Sequence, residues 1–279
     1  MFTLEMQDAS LGYGHRPVLS GLNFKLHSGE LVGLIGPNGC GKSTIIRAFS
    51  RVINALSGKV LLNGQDITCI PRRDLARIIG VVPQIPLLPS VFTAFEIVLM
   101  GRNPHLGTFQ SEGAKENAIA WQAMARTGTQ HLALRRVNEL SGGEIQCVLI
   151  ARVLTQQTGA ILLDEPTANL DIGRQGEILD LVKSLCVENN VAVLAAIHDL
   201  NLAAQYADRL IMIDRGGIYA EGTPAEVITG ENIAAVYGAE SCVFPHPVNG
   251  LPTVLLSADH HCPSALAEIT QESRSVRRG

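Results

Sequence analysis

Nine residues set the strongest limit on how this chain can fold: Gly36-Pro37-Asn38-Gly39-Cys40-Gly41-Lys42-Ser43-Thr44. The spacing of their glycines, lysine and serine is that of a phosphate-binding loop. Glycines let the backbone turn tightly enough to aim several N–H groups at one point. Lys42 adds a positive charge for the β- and γ-phosphates of a nucleotide, and Ser43 a hydroxyl for Mg2+. The flanks agree with this reading. Leu31-Val32-Gly33-Leu34-Ile35 reads as a buried strand, and Ile45, Ile46, Phe49, Val52 and Ile53 make one apolar helical face. The helix that follows the loop would turn its N-terminus, with its free amides, toward the anion.

Composition narrows the class. A chain of 279 residues, 46% of them hydrophobic, can bury a large core as one domain or two intimate lobes. The net charge of −4 supplies no global field for nucleic acid or an anionic membrane, and 4% aromatic residues argue against a base-stacking platform. No apolar run approaches the roughly 18 residues of a membrane span. Met-Phe-Thr-Leu-Glu-Met at the start has neither the charged nor the apolar region of a secretory signal. Cysteines at 40, 69, 147, 186, 242 and 262 form no C-x-x-C pair, so free thiols in a reducing cytoplasm are expected.

Along the chain, residues 3–11 and then Leu22, Phe24 and Leu26 alternate as strands of a half-buried antiparallel edge sheet. Between them Tyr13 stands flanked by Gly12 and Gly14, as a packed turn residue or as a stacking face for adenine. Asn63-Gly64 after Val60-Leu61-Leu62 is a hairpin turn. Residues 78–82 read as a buried strand ended by Pro83 and Gln84. The character then changes. Two prolines fall within 86–90, Thr93 and Glu96 form a capping box, and residues 112–127 are helical with Ala114, Ala118, Trp121 and Ala125 on one side. Residues 89–140 are therefore expected to be a mainly helical lobe inserted into an α/β domain. Strand–helix alternation resumes with Ile161-Leu162-Leu163, a helix over 172–187, a strand from Val191 to Ile197 and another at 210–213 turning through Asp214-Arg215-Gly216-Gly217. Such alternation implies a largely parallel sheet covered on both faces. Thr223-Pro224-Ala225-Glu226 opens a further helix. Beyond residue 240 the pattern fades, and the arginine-rich end reads as a solvated tail.

Ligands of open α/β sheets lie beyond the carboxyl ends of the strands. Four buried strands end at chemically capable residues: the phosphate loop, Gln84, Asp164-Glu165 and His198. Asp164 suits the carboxylate that holds Mg2+, and Glu165 a general base toward water. Gln84 can bridge metal and water, and His198 can donate to the γ-phosphate. A last motif, Leu140-Ser141-Gly142-Gly143-Glu144, is a capping box whose two glycines leave a helix N-terminus bare, a second anion site. The chain's own nucleotide already occupies the phosphate loop. A head-to-tail two-fold dimer would supply the second phosphate.

With these residues in place, the sequence resembles the ATP-binding cassette (ABC) ATPases, through GPNGCGKST (36–44), Gln84, LSGGE (140–144), ILLDEP (161–166), Ala168-Asn169-Leu170-Asp171 and His198. The resemblance implies a P-loop NTPase with a RecA-like core and antiparallel β subdomain over 1–88 and 141–240, the helical subdomain over 89–140, and a C-terminal extension over 241–279. It implies that residues 36–44 and Tyr13 bind ATP, with Tyr13 stacking on adenine. It implies that Ser141, Gly142, Gly143 and Glu144 face the partner's ATP and that Asp171 belongs to the loop at the dimer interface. Ser43, Gln84 and Asp164 would hold Mg2+, and Glu165, His198 and Gln84 would serve hydrolysis.

A narrower likeness over roughly 1–250, in VFTAFEIVLMGRNPHLG (91–107), HDLNLAAQYADRLIMIDRGG (198–217) and EGTPAEVITGENIAAVYG (221–238), is to ATPase subunits importing ferric siderophores, haem and cobalamin. It implies partners: a second copy, a polytopic permease docking near Gln84 and the helical lobe, and indirectly an external binding protein. It also implies a peripheral place on the cytoplasmic face of the cell membrane. Cys147 departs from the family, which usually has Arg there in the signature helix. The alternatives are another ABC transporter's ATPase, a soluble ABC ATPase, and a P-loop small-molecule kinase, which would leave LSGGE unexplained. His260-His261-Cys262, with His246 upstream, matches no zinc spacing.

Overall fold

The computed structural model describes residues 2–84, 88–107, 110–168 and 170–256. The arginine-rich tail, Asn169 and the His260-His261-Cys262 cluster lie outside them. In chain order the elements are β1 (Thr3–Tyr13), β2 (Arg16–His27), β3 (Leu31–Ile35), α1 (Lys42–Phe49), β4 (Ser57–Leu62), β5 (Gln65–Asp66), α2 (Arg72–Ile78) and β6 (Ile79–Val82). Then follow α3 (Ala94–Leu99), α4 (Ala114–Arg126), α5 (Gly142–Gln156), β7 (Ala160–Asp164), α6 (Ile172–Asn189), β8 (Ala192–Ala196) and α7 (Leu200–Tyr206). The chain continues through β9 (Arg209–Asp214), β10 (Gly217–Gly222), α8 (Pro224–Val227), α9 (Gly230–Tyr237), β11 (Ser241–Pro245) and β12 (Pro252–Leu256).

Six strands form one sheet in the order β10-β9-β3-β8-β7-β6, parallel throughout except for the β9–β10 hairpin. Its inner strands β3, β7 and β8 are buried along their whole length, which is why they read as unbroken apolar runs. The antiparallel strands form the half-buried edge sheet that their alternation suggested. They make a separate four-stranded sheet, β2-β1-β4-β5. Its apolar face, with Leu4, Met6, Leu22, Phe24 and Leu26, packs with α1 and with Val32, Leu34, Leu162 and Leu194 of the parallel sheet. Alternation reveals that one face of a strand is buried, not what buries it.

The opposite face of the parallel sheet carries Ile35, Leu163, Val193 and Met212 against α5, α6 and the helices after β10. A third cluster joins α3 and α4 to the outer face of α5 through Ile97, Val98, Met124, Val148 and Ala151. α3 starts as its sequence indicates, with Thr93 Oγ1 accepting from Glu96 N at 3.3 Å and Thr93 N donating to Glu96 Oε2 at 2.8 Å. α4 is helical over the expected span, and the side that carries the four expected residues is the exposed one. Ala120, Ala123 and Met124 are buried, while Ala114, Ala118, Trp121 and Ala125 face out. Trp121 lies instead across Phe95, with ring centroids 5.0 Å apart.

The C-terminal region holds more structure than its sequence pattern indicates, since β11 and β12 pair as a hairpin. Cysteine chemistry differs as well. Cys40, Cys69, Cys147 and Cys186 are free thiols, but Cys242 is disulfide-bonded.

Candidate functional site

The strand order places the four chemically capable strand ends side by side. β3 leads into the phosphate loop, its neighbour β8 into His198, the next strand β7 into Asp164 and Glu165, and the last, β6, into Gln84. All four strands run parallel, so these residues share one edge of the sheet.

The phosphate loop is a strained, glycine-dependent turn. Gly36, Gly39 and Gly41 have φ of 144°, 78° and 112°. A Cβ on Gly36 would lie 2.3 Å from the Ile213 carbonyl oxygen, and one on Gly41 2.7 Å from Leu19 Cδ1. Conformation and space therefore both demand glycine. Within the described residues the amides of Gly39, Gly41, Lys42 and Ser43 meet no acceptor, and they form the opening of α1. Lys42 is only 5% exposed. Its ammonium donates to the carbonyls of Gly36 (2.7 Å) and Pro37 (3.0 Å) and lies 3.8 Å from Cys40 Sγ. A buried cation beside free amides is a receptor for an anion of several negative charges.

Ser43 Oγ donates to Asp164 Oδ1 at 2.9 Å, which joins the loop to the end of β7. Burial pushes the Asp164 carboxyl above its usual range, partly offset by the Ser43 hydroxyl. The next residue, Glu165, adopts φ of 55° as the chain turns out of β7. Gln84 Nε2 donates to one of its oxygens at 2.5 Å, and His198 Nε2 pairs with the other. A carboxylate held from both sides at a strand end is aimed, and it can take a proton from water.

Hard oxygen donors from Ser43, Asp164 and Gln84 fit Mg2+. Among the described residues no group of three or more His, Cys, Asp or Glu could hold an ion unaided.

Tyr13 ends β1 and is 46% exposed. Arg47 of α1 donates to its hydroxyl at 2.8 Å, with the guanidinium 6.0 Å from the ring centroid. The ring is therefore held beside the phosphate-loop helix with a face left open. Arg47 is missing from the sequence reading because nothing local marks it. The same is true of Tyr237 at the end of α9, whose hydroxyl lies against the Gly36 backbone. Burial raises its hydroxyl to about 12. Only the fold brings residue 237 to residue 36.

The LSGGE segment opens α5 as its capping box indicates. Ser141 N donates to Glu144 Oε2 at 2.7 Å, Glu144 N donates to Ser141 Oγ at 3.3 Å, and Arg135 pairs with Glu144 at 3.2 Å. The Ser141 amide and hydroxyl hold the Glu144 carboxyl below its usual range. A Cβ on Gly142 would meet open space, whereas one on Gly143 would come within 2.9 Å of Leu170. Leu170 belongs to the loop that ends at Asp171, the N-cap of α6, which accepts from Arg174 N at 2.8 Å. Among the described residues no hydrogen bond or ion pair ties this helix start to the phosphate loop of the same chain. Cys147, one turn on, is buried, and burial pushes its thiol up despite the Arg174 guanidinium beside it. Arg174 reaches this point from α6, so the departure at Cys147 leaves a positive charge nearby.

The comparisons agree with the geometry. The profile described as ABC transporter matches residues 19–168. The achromobactin transport ATP-binding protein CbrD of Dickeya dadantii is 37% identical over 88% of this chain and 92% of its own length. The ferric enterobactin transport ATP-binding protein FepC of Escherichia coli is 39% identical over 90% and 93%. Among solved structures, a chain of an inward-facing ABC transporter assigned to the metal-chelate type superimposes with a TM-score of 0.80 at 27% identity, covering 93% of this chain and 99% of that one. The chain belongs to the ABC transporter family and is one of its ATP-binding, ATP-hydrolysing members.

Proposed function

We propose that this chain is the ATPase subunit of an importer, coupling MgATP hydrolysis in a head-to-tail dimer to uptake of an iron-siderophore, haem or cobalamin type chelate. One observation carries the catalytic part: Glu165 is held by both Gln84 and His198 beside a buried, amide-rich phosphate loop. The cargo class rests on the likeness to CbrD and FepC along nearly the whole chain.

The residues divide the work as follows. Amides of residues 36–44 and the Lys42 ammonium bind the β- and γ-phosphates, and Tyr13 stacks on the adenine. Glu165 takes the proton of the attacking water while Gln84 orients it. His198 donates to the γ-phosphate as negative charge gathers there. Ser43, Asp164 and Gln84 would hold Mg2+, which when bound neutralises charge on the phosphate oxygens. Ser141, Gly142, Gly143 and Glu144 present the α5 N-terminus to the ATP of a second copy. Asp171 and its loop line that contact, packed under Gly143 through Leu170.

Among the described residues no helix is long and apolar enough to cross a membrane, so transport needs a permease. A cleft of about 450 Å³ between the end of α1, α2, β6 and α5 supports one docking place. Its walls carry Arg51, Arg72 and Arg152 and no carboxylate among the described residues. This surface would take an acidic cytoplasmic loop of the permease and hold the subunit on the inner face of the cell membrane. Solubilising native membranes and purifying the chain should bring a polytopic permease with it, and deleting the chain should stop chelate uptake. An active ATPase without any membrane partner would overturn the importer.

Cys40 offers a second check. It is half-buried in the loop beside Lys42, and a thiol at a helix N-terminus is prone to alkylation. Maleimide should inactivate hydrolysis, and saturating MgATP should protect. Equal labelling of Cys40 with and without MgATP would remove ATP from this loop.

A further inference from the structure

Among the described residues β11 and β12 pair only with each other. A lone two-stranded hairpin is marginal in water, so something else must hold it. Val243 and Val254 lean on the core cluster beside α7, next to Leu200 and Leu202. Besides the Cys242 disulfide and the contact of β11 with α9, one polar side chain ties the hairpin directly to α7. Asn201 Nδ2 donates to the Val254 carbonyl at 3.2 Å, and the Val254 amide donates to Asn201 Oδ1 at 2.7 Å. A single carboxamide thus satisfies both backbone groups of one β12 residue, as a neighbouring strand would.

The helix that carries Asn201 begins at the catalytic edge. Asp199 caps α7, accepting from Asn201 N at 2.8 Å and Leu202 N at 3.0 Å. The residue before that cap is His198, whose ring meets Glu165. On the strand side, Ile197 N donates to Leu34 O at 3.0 Å and fixes where β8 ends. On the helix side the turn is held through α7, whose Ala203 and Ala204 are buried in the core and whose Leu200 and Leu202 lean on it. With seven residues, α7 has too little helical stability of its own to stay in place without tertiary support.

We propose that Asn201 is a positioning residue: by clamping Val254 it fastens the C-terminal hairpin to α7 and holds the turn that aims His198 at Glu165. The inference rests on the role given above to His198. It makes the hairpin part of the hydrolytic machinery rather than an appendage. Displacing a catalytic group by about 1 Å can cost as much as a hundredfold in rate, so a partial release of α7 should be visible in turnover.

The test uses the full chain and three variants: Asn201→Ala, Asn201→Asp and His198→Ala. Asn201→Ala should lower kcat for ATP by about tenfold and leave KM within about twofold, since the phosphate loop is untouched. Asn201→Asp keeps the acceptor and loses the donor, and it should fall between. Amide hydrogen exchange across β12 should accelerate in both Asn201 variants without ATP present. In a His198→Ala background, Asn201→Ala should have no further effect on kcat, because its action runs through that ring. Unchanged kcat in the single variant, an equal loss in both backgrounds, or joint changes in KM and melting temperature would overturn the positioning role. His198→Ala at wild-type turnover would instead overturn the role of His198, a separate and distinguishable failure.

Discussion

Replacing Glu165 by Gln is expected to slow steady-state ATP hydrolysis by about 10²–10⁴, the usual worth of a general base. The structure gives the reason for choosing this residue over its neighbour. Asp164 is tied to Ser43 and buried, which suits holding a cation, whereas Glu165 is braced between Gln84 and His198 at the open end of β7. Glutamine keeps the size and a hydrogen-bonding carbonyl but cannot accept the proton of water. Binding should survive, because Glu165 touches no part of the phosphate loop among the hydrogen bonds of the described residues. A fluorescent-nucleotide titration beside a phosphate-release assay separates the two effects. Turnover near the native rate would take Glu165 out of the base role.

The second large effect falls on binding. Lys42→Ala removes a buried ammonium that donates to two loop carbonyls and, in the function proposed, would pair with the phosphates. A hydrogen bond to a charged group is worth about 1.5–3 kcal/mol. The dissociation constant for ATP should therefore rise about ten- to a hundredfold. Lys42→Arg should not restore it, because a planar fork cannot replace a compact point charge in a loop this closely packed. Calorimetric titration of both variants, with melting curves as a folding control, reads the outcome. An unchanged dissociation constant in a folded Lys42→Ala chain would contradict the assignment of the loop.

The sequence was most informative where chemistry and backbone are bound together locally. A phosphate loop needs its glycines at fixed places, and Gly36 and Gly41 have no room for anything else. Inner strands of a parallel sheet are apolar throughout, so β3, β7 and β8 and the residues at their ends stood out from their neighbours. Parallel pairing then made four distant segments converge.

What escaped depends on contacts between distant elements. α4 has two alanine-bearing faces, Ala114-Ala118-Ala125 and Ala120-Ala123, and periodicity alone does not choose between them. Packing of Ala120, Ala123 and Met124 against α3 and α5 decides it, and Trp121 takes Phe95 as its partner on the outside. The C-terminal hairpin closes at its turn through Pro245 and Pro252 and, among the described residues, pairs with no larger sheet, so its alternation is too brief to register. Asn201 looks like any polar residue in a short helix until Val254 lies against it. Arg47 and Tyr237 likewise gain meaning only from Tyr13 and Gly36.

One claim underlies the rest: each ATP is enclosed by the phosphate loop of one chain and the α5 N-terminus of another. The most direct measurement is sedimentation of the Glu165→Gln chain with and without saturating MgATP. The mass should double when MgATP is added, and a second change, Ser141→Arg, which fills the bare helix start, should abolish the doubling while leaving ATP bound. A Glu165→Gln chain that binds ATP and keeps the mass of a single copy would contradict the composite site.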